Sequence, residues 1–214
     1  MQNPVNRALE TVPFYFGQIL IRKTGDDFVL CHRDDDARDD LEMFRNAEDA
    51  IEIARYDDDG NYRPLKTAPN LRHRWGMKLR TSDELRHALD GFYPGRLAIF
   101  VGWQRGQLQT TPLRETLDRQ SGMYRVAAKI SDPQVDDLVA DFCRSNGGCL
   151  RTILWKRDQR GAIASTKLPG EKFDPAWDQA LGRPGPTTPA TIPLICQEAC
   201  NLLVAACRKV VKGE

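Results

Sequence analysis

The sequence predicts an α/β chain, α+β overall. A small acidic α+β domain over residues 1–70 precedes an alternating strand/helix domain over 71–214, with a mixed sheet and a C-terminal cysteine-bearing helix. Three observations lead there. A hairpin-like pair of apolar, β-branched runs and one short amphipathic helix occupy the first part. From Leu71 onward, strand-like runs alternate with helical segments, the pattern of helices packed on a sheet. The charge also divides: residues 1–70 hold nine Lys/Arg against fifteen Asp/Glu (−6), and residues 71–214 hold twenty-two against fifteen (+7), within a formal net charge of +1. Such an asymmetry marks a domain boundary or two facing surfaces.

Taken in order, FYFGQILIRK (Phe14 to Lys23) is aromatic and β-branched and predicts a strand, TGDD a turn, and FVLCH the returning strand. DDDARDD is too acidic to pack and predicts a solvated loop or a helix start. Asn46 is a candidate N-cap for a helix through Tyr56, with Ala47, Ala50, Ile51 and Ala54 on one face. DDDG (Asp57 to Gly60) lacks the alternating acids of an EF-hand loop and reads as a charged turn. HRWGMKL predicts a strand, and SDELRHALDGF a helix capped by Ser82 or Thr81 and stopped by YPG. RLAIFVGW reads as a buried strand. TTPLRETLDRQSG reads as a helix, with Pro112 in its first turn and Gly122 at its end. MYRVAAKI reads as a strand, DPQVDDLVADFCRS as a helix capped by Asp132, and CLRTILWK as a strand. Residues 158–192 hold five prolines and little periodicity; a connection this long suits a cover over a cofactor or a plain linker.

Hydrophobic residues at 41% and charged residues at 29% describe a globular chain, and no apolar run approaches membrane-spanning length. MQNPVNRALE lacks an apolar signal core, so a cytoplasmic location is expected, without a membrane or nucleic-acid partner. In that setting the six cysteines read as thiolates for metal rather than a disulfide framework. PLICQEACNLLVAACRKVV, Pro193 to Val211, predicts the last helix, with Cys196 and Cys200 one turn apart on one face. Pro193 then places Cys196 near the first turn, where free amides and the helix dipole favour an anionic cluster. A second pair lies in DFCRSNGGC, where Cys143 ends a helix and Cys149 follows Gly147 and Gly148, glycines that admit a bulky inorganic group. Cys207, about 10.5 Å beyond Cys200 along the helix, reads as core, and so does Cys31.

Cys143, Cys149, Cys196 and Cys200 therefore form the candidate metal site, for an iron–sulfur cluster or for zinc. The C-x5-C and C-x3-C spacings differ from the usual zinc knuckle, and they favour a 4Fe-4S cluster. YRPLKTAPN, TPLRETLDRQSGMYRV, DFCRSNGGCLRTILW and PLICQEACNLLV resemble a family of bacterial proteins. In that family a small stabilising domain precedes a 4Fe-4S cluster-binding domain, often fused to a CbiX-type sirohydrochlorin chelatase. The resemblance implies that the four cysteines ligate the cluster and links the chain to tetrapyrrole (sirohydrochlorin or cobalamin) metabolism. These residues contain no chelatase domain, so that activity does not carry over. A chelatase or redox partner protein, or a tetrapyrrole, is the implied partner.

Arg63, Lys66 and Arg72, with Arg74 and Lys78 nearby, form a candidate anion site, against the plainer reading of salt bridges to the acidic domain. His32, beside DDD, is a candidate proton or metal group, against a solvated strand-end histidine. His73 and His87 read as surface residues, and Trp75, Trp103 and Trp155 as core. With no nucleophile elbow, Walker loop or dinucleotide fingerprint, the sequence assigns no reaction. It points to a 4Fe-4S electron-transfer or redox-sensing accessory, the alternative being a module that zinc or the cluster only staples together.

Overall fold

The computed structural model describes residues 13–62, 71–107, 113–120, 125–143, 151–156, 163–165, 190–192, 194–197 and 199–214. It divides into two compact units, Met1–Gln107 with Ala176–Leu194, and Leu108–Pro175 with Ile195–Glu214. The division falls after Gln107 rather than after residue 70. The strand predicted over HRWGMKL is the reason, because it lies inside the first unit's sheet.

That sheet is mixed and six-stranded. Its strands are β1 (Phe14–Phe16), β2 (Ile19–Thr24), β3 (Asp27–His32), β4 (Glu42–Phe44), β5 (Trp75–Leu79) and β8 (Ala190–Ile192), in the order β4-β5-β3-β2-β1-β8. The central pairings are antiparallel, with Leu20 opposite Cys31 and Leu30 opposite Met77; β4 and β8 add parallel edges. β8 thus gives a strand role to part of the proline-rich connection.

The single strand expected over Phe14 to Lys23 is two, broken at Gly17, whose φ of +60° suits a residue without Cβ. Close packing reinforces the choice: a Cβ there would lie 2.8 Å from Leu194 Cδ1 and 2.9 Å from the Tyr93 ring. The next residue, Gln18, is buried at 4% exposure, with its backbone and its side-chain oxygen hydrogen-bonded. Its amide donates to Tyr93 Oη, its Oε1 accepts from the Leu71 amide, and its carbonyl accepts from the Arg33 amide. A buried amide side chain is tolerated when its hydrogen bonds are made.

Helices α1 (Asp49–Arg55) and α2 (Ser82–Phe92) belong to this unit. The first is shorter than the stretch from Asn46 through Tyr56. It buries Ala50, Ile53 and Ala54, and it turns Ile51 partly outward. The second begins with a full capping box of Thr81 and Glu84 and buries Leu85, Ala88, Leu89 and Phe92, the spacing of one helical face. Phe92 stacks on Trp75 with ring centroids 4.8 Å apart. RLAIFVGW is helix α3 (Arg96–Gln104) and not a strand. Leu97 and Phe100 are its buried residues, three apart. A short run that is apolar all round carries no period to separate the two readings.

In the second unit, α4 (Leu113–Gln120) and α5 (Asp132–Leu138) stand where helices are predicted. The cap of α5 is Ser131, in a capping box with Gln134, while Asp132 accepts from Arg114 Nε at 3.0 Å. The described end of MYRVAAKI is a 3-10 turn, Ala127–Lys129, and not a strand. Ala127 and Ile130 are buried three residues apart, which suits a helical turn and defeats alternation. β6 (Arg151–Lys156), β7 (Ile163–Ser165) and β9 (Leu194–Cys196) form a three-stranded sheet in the order β7-β6-β9. The last helix, α6 (Asn201–Lys212), ends at Gly213 with φ +75°. No helix among the described residues is long and apolar enough to cross a membrane.

Candidate metal centre

Three short elements of the second unit carry the cysteines. The helix begun by α5 widens into one π-type turn, Val139–Cys143, and Cys143 ends it, buried at 4% exposure. Such widened turns recur at functional sites. Cys196 closes β9, half-buried, and Cys200 is the N-cap of α6. The helix predicted from Pro193 therefore starts eight residues later. Its first part is the strand Leu194–Cys196, favoured by the flanking β-branched Ile192 and Ile195 and by pairing with β6. Cys196 and Cys200 do not share a helical face, and the dipole argument passes from Cys196 to Cys200.

The Cys200 backbone is extended (φ −82°, ψ 165°), its own side chain makes no capping hydrogen bond, and its carbonyl accepts the first helical bond from the Val204 amide. The early amides of α6 thus point their partial positive charge at the region of the Cys200 thiol. Around it lies the unit's apolar core of Leu113, Leu117, Ala127, Ile130, Val135, Val139, Cys143, Ala199, Leu203, Val204 and Cys207, with Cys196 and Cys200 packed against it. Three of the four predicted ligand cysteines are therefore brought to one core; Cys149, with Gly147 and Gly148, lies outside the described residues. Cys207 is fully buried, and burial pushes its thiol up to about 11 against the pull of Arg114. That is the state of a packed core residue. None of the five described cysteines forms a disulfide.

Arg63 and Lys66 of the candidate anion site also lie outside the described residues. Arg72 Nη2 donates to Glu42 Oε2 at 3.2 Å with its guanidinium over the Phe44 ring, and Lys78 pairs with Asp27 at 2.8 Å. Both partners are acids of the same unit. Trp75 is buried, as expected, and donates from Nε1 to the Arg72 carbonyl. His87 sits near Glu48 on the surface.

His32 departs from the solvated reading: it is fully buried, and so, at 3% exposure, is Asp35 from the run taken as too acidic to pack. They meet His73. Sequence inspection missed this group because its members come from β3, the following 3-10 turn and the approach to β5. The only local signal is a histidine three residues before an aspartate.

The comparisons share the structure's division near Gln107, although Ala176–Leu194, which the structure groups with the first unit, falls within the second match. Residues 105–209 match the model of a 4Fe-4S iron-sulfur cluster binding domain, and residues 5–107 that of the DR2241 stabilising domain. Among solved structures, a Deinococcus radiodurans chain is 27% identical with a TM-score of 0.62, over 97% of this chain and 40% of that one. It is described as a multi-domain protein with structural similarity to chelatases and two additional novel domains. This chain therefore spans well under half of that relative's length. No curated protein matches.

Proposed function

We propose that this chain, which belongs to the family joining a DR2241 stabilising domain to a 4Fe-4S iron-sulfur cluster binding domain, is a redox accessory whose second unit holds its cluster on Cys143, Cys149, Cys196 and Cys200. The observation that supports it most is the placement of three of these cysteines at one apolar core, Cys143 within it at a π-type turn, and Cys196 at a strand end and Cys200 at a helix start packed against it. The donor set fits: such a cluster takes four thiolates, and Cys200 stands at the N-terminus of α6, where early amides are free to face an anionic group. When bound, the cluster supplies one-electron transfer at a potential set by nearby charge, hydrogen bonds and exposure. The chain's own part is to hold the thiolates and exclude water. Val139, Leu203 and Val204 provide the apolar wall, and Arg114 ties α4 to the start of α5 through Asp132 and the Ala128 and Ile130 carbonyls.

The relative's described similarity to chelatases supports a tetrapyrrole setting, in which a redox or chelatase partner protein meets this chain in the cytoplasm. Anaerobic purification should give a brown protein with roughly four irons per chain and a reversible redox couple. Cys200→Ser should lose most of the colour and iron while keeping the first unit folded. A colourless protein with a single zinc and no redox couple would replace this reading with a stapled structural module.

A further inference from the structure

We propose that the first unit carries a second metal site, separate from the cysteines: a divalent transition-metal site of the zinc class on His32, Asp35 and His73. One ligand-type atom from each of the three lies within 4.8 Å of one from each of the others, the one such trio among the described residues. The two imidazole rings stand 4.0 Å apart, centroid to centroid. His73 Nδ1 and Asp35 Oδ1 are 3.3 Å apart. Ligand atoms held at 2.0–2.1 Å around a tetrahedral zinc lie roughly 3.4 Å apart, so this edge is already at the spacing such an ion requires.

The strongest pointer is His32. Its side chain is fully buried, and its Nε2 has no hydrogen-bond partner among the described residues. A buried polar atom left without a partner costs on the order of 1–3 kcal/mol and calls for an explanation. A metal bond at Nε2 supplies one. At present Nδ1 accepts from the Asp34 amide at 3.2 Å, which leaves the proton on Nε2. Metal binding at Nε2 requires that proton to move to Nδ1, which gives up the bond from the Asp34 amide and leaves the Asp34 carboxylate, with Oδ2 3.7 Å away, as the group to receive the new N–H. A carboxylate behind a ligating histidine is the usual outer partner of such sites.

Asp35 is held for the task from its other side. The Arg74 amide donates to its Oδ2 at 2.6 Å, with Arg74 itself in the left-handed region at φ +62°. His73 is steered by its own amide, which donates to Asp58 Oδ1 at 2.6 Å. Two imidazoles and a carboxylate suit zinc, cobalt or iron(II) and disfavour magnesium and calcium, which prefer all-oxygen shells. Asp35 and His73 also line a cavity of about 460 Å³ with Arg38 and Arg74, so an open coordination position would face a space that admits water or a small anion.

Cobalt(II) titration of the intact chain under anaerobic conditions tests the site. The wild type should take up cobalt with ligand-field bands that lack an intense thiolate charge-transfer band, and Cys196→Ser should leave those bands unchanged. His73→Gln, at a ring that is 40% exposed and so outside the packed core, should weaken uptake at least about tenfold with unchanged circular dichroism. His32→Gln should do the same if it folds. Wild-type uptake in His73→Gln, no uptake by the wild type, or cobalt bands that carry thiolate character and vanish in Cys196→Ser would each overturn the proposal.

Discussion

Replacing Cys207 tests whether the second unit distinguishes a ligand from a core residue. Cys207 lies on the same helix as Cys200, seven residues on, which at 1.5 Å per residue is about 10.5 Å along the axis. Its side chain is fully buried beside Leu203 and Val204 in the apolar core. Cys207→Ala removes one sulfur atom from that packing, and small buried deletions of this size cost about 1–2 kcal/mol. Cys207→Ser nearly preserves volume but places a hydroxyl where the core offers it apolar neighbours, at roughly 1–3 kcal/mol. At about 2–4 °C per kcal/mol for a chain of this size, either change should lower the second unit's melting temperature by several degrees. The assay is a thermal melt followed by circular dichroism, with iron measured on the same anaerobic samples. Iron per chain should stay at the wild-type level in both variants. If iron in Cys207→Ala falls as far as in Cys200→Ser, Cys207 is a ligand and the assignment of the other four is wrong.

Two further outcomes follow from packing and burial. Gly17→Ala should destabilise the first unit by about 2–3 kcal/mol in urea denaturation, because strain at φ +60° adds to the close approach of Leu194 and Tyr93. Gly25→Ala, at φ +63° with nothing within 4 Å, should cost only about 1 kcal/mol, and equal costs would show that the crowding at Gly17 is unimportant. The Cys207 thiol, raised from 9.0 to about 11 by burial, keeps its proton in the folded state after the unfolded state has lost it. Its contribution to stability is therefore complete below pH 9 and lost as pH rises through about 11. Alkylation of Cys207 in the folded protein should stay slow at pH 8, and rapid labelling there would contradict the burial.

What was legible in the sequence follows the range of the interactions that decide it. β2, β3 and β5 announce themselves by β-branched and aromatic runs, and α2 by a local capping box. α3 was misread because its apolar residues surround it, and α6 because Pro193 imitates a helix start while the strand it precedes is chosen by pairing with the distant β6. The charge split suggested two parts but not their edge: β5 carries Lys78 to an ion pair with Asp27 on β3, so the first part of the basic half belongs to the first unit. The cysteine pairs were visible as spacing, and Cys207 was separable from them by helical rise alone. The His32, Asp35 and His73 group is not visible, since the burial of Asp35 within an otherwise exposed acidic run depends on a partner about forty residues away.

On the proposed reading, the cysteine positions would also give a bound cluster a structural task. Cys143 ends a turn whose hydrogen-bond ladder has just changed, Cys196 ends a three-residue strand, and Cys200 precedes a helix that its own side chain does not cap. Each is a terminal position, where local structure alone constrains the side chain least. Thiolate bonds to one shared group would join these ends, closing a long loop between Cys143 and Cys196 and restricting the unfolded chain far more than a local contact can. The core residues then have a second task beside burial. Leu203 and Val204 hold the first turn of α6 in place so that its amides face the same region as Cys200, which makes the helix start part of the site rather than its support.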